Sequence, residues 1–544
     1  MRAELRTCGL SFILGVGCTG EDDGGPVTTV FEGGSESGAD GGEAPDDGPD
    51  DGSNDAPDDG PDDGPDDGPD DGTDGSDDTP MVGPISVVSV TPASQTIAAP
   101  RGDTITVTLQ GSVDPATVDD RAVSVWGRWS GVAAGTLEVS GGGSQITFTP
   151  SVPFMAGENI TVTLSTALQS ISGEALATGY AWSFWTAASP GTLDVVLTDQ
   201  RSARQPGEGW IQTYGAYAGD LDGDGFSDLM LPNEQADDVR IFLNDGQGGY
   251  PEFSVTPIPG GSVPSTNEGA DFDLDGIMDF AVGSAGGTNV SVFRGNGDGS
   301  VMHTGNIAVG ESVRGLCVLD LDGDGDPDMV SVSRTGQGDG DISTILNDNG
   351  SFALGATMNP GGLGESACAT GDANGDGLAD VFIGALQSDE VFLYLSDGQG
   401  GIVLADSIEA GGGPWMLAAG DVDGDGNVDV VGADFPGNAM SVVRSDGEGH
   451  LLPADVYPVG QSPLAVDLGD IDGDGDLDAL TSNFDGGDFT LYENTGGVFG
   501  NVRTLPSTSA GSCAIVHDRD GDGDMDVTTI DELDDTIFFF TNPG

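Results

Sequence analysis

The sequence predicts an all-β protein: a seven-bladed β-propeller preceded by a β-sandwich and a disordered acidic linker. Three observations predict it. One acidic motif recurs seven times, with first aspartates at 220, 271, 320, 372, 421, 470 and 518, a period of 48 to 52 residues. Repeats of that length suit blades of four strands. Ahead of them, residues 84–188 hold short alternating segments such as ISVVSV, TITVTL, AVSVWG, QITFTP and NITVTL, with turn signals between them. That pattern argues a sandwich. Ahead of these again lies a tract that is almost entirely Asp, Gly, Pro and Ser.

Composition bounds the partners. The 544 residues carry 14 Lys+Arg against 93 Asp+Glu, a net charge of −79, and every one of the 14 is arginine. Nucleic acid and anionic membrane surfaces need basic patches, so both are excluded as partners. Cations are the natural counterpart. With 36% hydrophobic residues and 93 glycines, the chain is too apolar for full disorder and suits short strands joined by tight turns.

The N-terminus, MRAELRTCGLSFILGVGCTGEDDGG, places Arg2 and Arg6 before a short apolar run, Gly9 to Val16. That run is too short to span a bilayer as a mature helix. Residues 1–17 read as a signal peptide. The segment resembles a bacterial lipoprotein signal, with Cys18 as the lipidated residue. It departs from that pattern at Gly15, where leucine is preferred; Leu14 lies one step back. The resemblance implies a cell-envelope protein, an outer-membrane or surface lipoprotein touching membrane only through the anchor at Cys18; plain secretion is the alternative. Residues 18–83 form the tether, with APDDGPDDGPDDGPDDG from Ala56 to Gly72 at its centre. Such a tract buries too little apolar surface to offset chain entropy. Sixty residues reach about 200 Å when stretched.

Cys317, Cys368 and Cys513 each fall just before an acidic motif. Small buried thiols are the first reading, and a Cys317–Cys368 bridge between adjacent blades is the alternative. In the sandwich, VTPAS, VDPATVD, FTPSVPFMAGENITVTLS and WSFWT resemble the bacterial Ig-like domain of the S-layer type. Trp182 and Trp185 are expected in the core. VWGRWSG, with Trp126 and Trp129, reads as packing before it reads as an aromatic platform.

The seven motifs read D-x-D/N-x-D-G-x-x-D, as in GDIDGDGDLDAL from Gly469 to Leu480. Two carboxylates ~4 Å apart repel by roughly 4 kcal/mol at an effective dielectric of 20. A hard divalent cation offsets that. Oxygen ligands at positions 1, 3 and 5 with glycine at 6 make the first half of an EF-hand loop. An Asp at position 9 and a following strand replace the EF-hand's Glu at 12 and helix. The motif is therefore a calcium-binding β-hairpin loop, and all-oxygen ligation favours Ca²⁺ over Mg²⁺.

Over residues 190–544 these loops, each set between apolar strands, resemble the FG-GAP/VCBS repeats of the integrin-type seven-bladed propeller. The resemblance implies a structural Ca²⁺ in each loop joining the first two strands of a blade, about seven sites in all. Carried over by position, the ligands are Asp220, Asp222, Asp224 and Asp228 in the first loop. The second gives Asp271, Asp273, Asp275 and Asp279, and the third Asp320, Asp322, Asp324 and Asp328. The fourth gives Asp372, Asn374, Asp376 and Asp380, and its missing charge predicts weaker binding. The fifth gives Asp421, Asp423, Asp425 and Asp429, the sixth Asp470, Asp472, Asp474 and Asp478. The seventh gives Asp518, Asp520, Asp522 and Asp526. Leu274 stands in the second loop where the others have glycine, with no expected effect on coordination.

Catalytic signals are sparse. His303, His450 and His517 lie in separate repeats, and no G-x-S-x-G, H-E-x-x-H or phosphate-cradling loop is present. The aspartates could pair for glycoside chemistry, but metal explains their spacing. The expectation is a non-enzymatic, monomeric cell-surface calcium-binding protein for binding or adhesion to an extracellular protein or glycan. The alternatives are a carbohydrate-binding lectin and a calcium-dependent polysaccharide-degrading enzyme on a propeller scaffold. By the resemblance, ligands meet the face opposite the metal loops, where Phe435 and Phe484 are candidate exposed contacts. The last repeat supplies only three strands before Gly544. Gly191 to Gln200 is expected to pair with Ile537 to Phe540 as its fourth, and removal of 84–188 is expected to leave the propeller stable.

Overall fold

The alternation in the sandwich segments becomes burial in the computed structural model, which describes residues 83–259, 263–334, 340–359 and 361–544. The signal segment, Cys18 and the tether up to residue 82 lie outside the described residues. In Ile105–Gln110, Ile105, Val107 and Leu109 are buried while Thr106 and Thr108 are only partly so. Ser86–Thr91, Ile105–Gln110, Gln145–Pro150 and Gly135–Ser140 form one sheet. Gly131–Val132, Val123–Gly127, Asn159–Leu164 and Tyr180–Trp185 form the other. Their shared core includes Val125, Phe148, Ile160, Val162, Trp182 and Phe184. Each large apolar side chain fully buried there contributes about 1.5–3 kcal/mol. Trp185 instead packs among residues of the later repeats, with Val422, Leu468 and Leu477.

The repeats form seven four-stranded sheets. The first is Tyr217–Gly219, Asp228–Asn233, Asp238–Phe242 and Phe253–Pro257, in sequence order. The strand after each acidic loop is buried throughout, as in Asp380–Ala385 and Asp478–Asn483. Neighbouring sheets cover both of its faces, so its sequence is an apolar run rather than an alternation. The outermost strand of the second sheet, Val301–Ala308, alternates half-buried and exposed positions after Val301, as a strand with one wet face must. Among the described residues the only helical segments are two short 3₁₀ turns, Pro115–Thr117 and Gly141–Gly143.

The seventh sheet is completed from the other end of the repeat region. Gly511–His517, Asp526–Asp531 and Thr536–Thr541 are joined by Val196–Ser202, antiparallel to the third of them, with Phe538 opposite Gln200 and Phe539 opposite Asp199. The expected pairing holds, but the strand starts at Val196 rather than Gly191. The five residues before it do other work. The Gly191 N–H donates to the Asp472 carbonyl at 2.8 Å, and Leu193 and Val195 are buried in the core of the last sheets. The inner strand of the seventh sheet lies against that of the sixth and also touches that of the first.

Cys317 and Cys368 form a disulfide between the inner strands of the third and fourth sheets, Cα atoms 5.8 Å apart, so the bridge replaces the reading as free thiols. Cys513 is free and buried, and burial pushes its thiol up to about 12.

The sandwich is not an independent spacer. Its Arg128–Trp129 turn enters the repeat region. Trp129 is 1% exposed, shares a core with Phe539 and Met525, and meets the His517 ring edge-on at 6.3 Å. The Trp129 carbonyl accepts the Asp220 N–H at 2.7 Å, and Arg128 pairs with Asp467 at 2.9 Å. Thr166 N donates to Gly323 O, Ala181 N to Gly377 O and Ser189 N to Gly523 O, at 2.6–2.7 Å. The sandwich and its exit therefore bond the acidic loops. These contacts argue against the expectation that residues 84–188 can be removed with the propeller left stable.

Candidate metal centres

Each acidic loop folds on its own first aspartate. Asp220 accepts the N–H groups of Gly223, Asp224 and Gly225 at 2.8, 3.0 and 2.9 Å, which curls the chain around its carboxylate. The curl needs left-handed residues, and Gly223 and Gly225 supply them at φ 76° and 91°. The ninth-position aspartate ties the loop to the third strand. Asp328 accepts Leu321 N at 2.9 Å and Asn347 N at 2.7 Å, and Asp478 accepts Ile471 N and Asn494 N at 3.0 and 2.8 Å.

In at least five loops three carboxylates come together, not the four that the sequence pattern implies. Asp220, Asp222 and Asp228 each offer an oxygen within 4.8 Å of the others; so do Asp271, Asp273 and Asp279, and Asp320, Asp322 and Asp328. The fifth loop does so with Asp421, Asp423 and Asp425, and the sixth with Asp470, Asp472 and Asp474. Backbone curling alone does not satisfy these groups. Buried oxygens without a hydrogen-bond partner remain on Asp273, Asp423, Asp470, Asp520 and Asp526. Burial, with the neighbouring carboxylates adding to it, pushes Asp328, Asp429 and Asp478 up to about 8 and Asp320 up to about 7. Clustered carboxylate oxygens, some of them orphaned, fit a hard cation, Ca²⁺ in particular. When bound, the ion would neutralise the gathered charge and fix the hairpin.

Sequence reading missed two features. Arg294 forms an ion pair with Asp273, and Arg444 pairs with Asp423 at 2.9 Å. Both arginines close a third strand, in VFRGNG and VVRSDG. They bring positive charge to the second and fifth loops. The other feature is a hydrogen-bonded belt. The carbonyl after the first aspartate of every loop accepts from the following sheet. Asn347, Asn494 and Asn542 donate side-chain N–H to Phe272, Val422 and Ile471 at 2.8, 2.7 and 2.9 Å. Gly299, Gly400 and Gly449 donate backbone N–H to Leu221, Leu321 and Ala373 at 3.1, 2.9 and 3.1 Å. Asn244 of the first sheet donates to Arg519 in the seventh loop at 2.9 Å. The signal was the Asn or the Gly-rich turn that ends each third strand.

The histidines lie outside any shared cluster. His517 is buried between Ser227 Oγ at 2.6 Å and Thr528 Oγ1 at 2.8 Å, and burial pushes it down to about 3, so it is neutral. His303 meets Asn306 and His450 meets Asp446. Phe435 and Phe484 are half-buried around Trp415 rather than displayed. No helix among the described residues is long and apolar enough to cross a membrane.

Comparison with known proteins agrees with these elements. Residues 82–186 match the family described as bacterial Ig-like domain. The FG-GAP-like repeat family matches six times, at 220–282, 271–331, 320–383, 372–432, 421–481 and 470–529. Each match runs from one acidic loop into the strand after the next, so the six cover all seven loops. No curated protein sequence matches the chain. Among solved structures, a functionally unknown protein from Desulfotomaculum acetoxidans DSM 771 is 11% identical, with 55% of this chain and 90% of that one covered and a TM-score of 0.39. An auxiliary nutrient binding protein from Bacteroides ovatus ATCC 8483 is 12% identical, covering 86% and 100%, with a TM-score of 0.36. A protein from Lactobacillus plantarum is 12% identical, covering 72% and 98%, with a TM-score of 0.40. Superpositions this loose carry no functional argument. The matched profiles span more than half of the chain, and the protein belongs to the FG-GAP-like repeat family, with a bacterial Ig-like domain ahead of its repeats.

Proposed function

We propose that the seven sheets close into a seven-bladed propeller, rigidified by Ca²⁺ in its loops, that serves as a non-enzymatic binding scaffold at the bacterial surface. The observation that carries this reading is the belt of hydrogen bonds from each sheet to the loop before it, which runs on from the seventh loop to the first sheet through Asn244. The orphaned carboxylate oxygens inside those loops support the metal. A scaffold held rigid at one end leaves the other end of its strands free to meet a partner, a glycan or an extracellular protein. Lipidation of Cys18 and the acidic tether would hold it away from the envelope. Equilibrium dialysis of the full chain against ⁴⁵Ca²⁺ tests the metal: binding near seven equivalents supports the reading, and binding below two overturns it. Cys18→Ser tests the anchor. The variant is expected in the soluble fraction, and wild-type fractionation contradicts lipidation.

A further inference from the structure

The acidic loops gather like charges at one end of the inner strands. At the other end the chain gathers two of the opposite sign. Arg314 lies in the inner strand Val313–Leu319, one residue from its start, and the metal loop begins at Asp320, just past the strand's end. Those ends are about 20 Å apart, at ~3.3 Å per residue. Arg334 directly follows the adjoining strand Asp328–Ser333. Both guanidinium groups sit against one indole: the Cζ of Arg314 is 5.8 Å from the Trp415 ring and that of Arg334 is 5.5 Å from it. Arg314 is also 5.7 Å from the Tyr214 ring, and the Trp415 indole N–H donates to the Tyr214 hydroxyl at 2.8 Å. The cluster thus ties the third sheet to the fifth and to the segment that leads into the first.

Fourteen cations serve a chain of net charge −79, so setting two of them around one tryptophan needs a reason. A guanidinium has five N–H donors. Arg314 uses Nη1 on Glu234 at 3.3 Å and on Ser265 Oγ at 3.2 Å. Arg334 meets no carboxylate within ion-pair distance among the described residues, and burial together with the Arg314 charge lowers its pKa. The nearby carboxyls do not remedy this. Gln212 bridges Glu234 and Glu532 at 2.6 and 2.8 Å, and burial beside Glu234 pushes Glu532 up to about 8, so it is neutral at pH 7. Glu365 accepts Gly340 N at 2.7 Å. Open, forked donors on neighbouring guanidiniums are what a carboxylate takes up in pairs of hydrogen bonds.

We propose that Arg314 and Arg334 form an oxyanion site that binds the carboxylate of an acidic glycan, a uronate residue. This rests on the binding-scaffold reading. A glycan fits better than a protein because the aromatic ring at the centre of the site is covered and cannot serve as an anchor. Trp415 is 6% exposed, with both arginines and Phe435 packed on it. Protein interfaces draw most of their energy from such anchors.

The test is calorimetric titration of the calcium-loaded full chain, at about 1 mM calcium, with oligogalacturonate, its methyl ester and polyglutamate. Oligogalacturonate should bind, and the ester should bind at least about tenfold more weakly, since it lacks the charge the arginine forks recognise. Arg334→Gln should weaken oligogalacturonate about tenfold with melting temperature and calcium stoichiometry unchanged, and Arg334→Lys should restore part of the loss. Arg334 is the informative position because Arg314 also holds Glu234. Undiminished binding by Arg334→Gln would place uronate on the calcium loops and overturn the proposal. Equal or tighter binding of polyglutamate would overturn the glycan assignment. Absent oligogalacturonate binding would overturn the site while calcium dialysis still supports the scaffold.

Discussion

Leu274 stands at φ 55° in the second loop, where the other six loops place glycine. A left-handed non-glycine residue costs roughly 1–2 kcal/mol, part of which glycine's greater freedom in the unfolded chain gives back. Leu274→Gly should stabilise the protein by about 0.5 kcal/mol in denaturant unfolding; a destabilised variant would show that the leucine side chain packs for more than its backbone costs. Asp434 and Asp531 end the second strands of the fifth and seventh sheets, and both are fully buried. Burial pushes Asp434 up to about 8, with one hydrogen bond from Ser441 at 3.1 Å to oppose it. Asp531 suffers burial too, but Ser507, Thr508, Ser509, Ala510 and Asp534 donate to it and the net shift is downward. The sign of the consequence follows. Folded Asp434 keeps its proton up to about pH 8, while the unfolded chain releases it near pH 3.9. Stability from this group is therefore present below pH 4 and is lost as pH rises through 8. Asp434→Asn should melt higher than wild type at pH 8, by at least about 1 kcal/mol, and the advantage should vanish at pH 4.5. An advantage that does not change with pH would refute the assignment.

At the scale of elements, the strands and acidic loops were legible because period two, a fixed repeat and Asp-Gly turns are local signals. The fourth strand of the last sheet was legible from a deficit, since three strands leave an open edge. Its start was not, because Leu193 and Val195 alternate like a strand yet are drawn into the core ahead of it. The disulfide was open in the sequence for a similar reason: only the pairing of the third and fourth inner strands puts Cys317 beside Cys368. Closing a loop of 51 residues constrains the unfolded chain by about 2–4 kcal/mol. Cys317→Ala with Cys368→Ala should lose that amount on equilibrium unfolding, and an unchanged midpoint would show the bridge to be dispensable. The carbonyl belt stayed hidden because Asn347 and Asn494 bond residues 75 and 72 positions away.

At the scale of the molecule, the sandwich and the repeats share bonds and a buried core, and are expected to melt together. Trp129 is a buried part of the core where the first and last sheets meet. Trp129→Ala should cost about 3 kcal/mol and lower a single shared transition in calorimetry; two transitions, with the larger unchanged, would restore an independent spacer. Bound calcium would act on the same scale. At ten times its dissociation constant each site contributes ~1.4 kcal/mol by linkage. Seven independent loops would give ~10 kcal/mol, an upper value because sites joined by the belt would be coupled. The most direct measurement is the melting temperature of the full chain at about 1 mM free calcium and again in excess EDTA. A fall of many degrees on chelation, reversed by added calcium and not by sodium, is the predicted result. An identical melt in EDTA would contradict the account that cations hold these seven loops.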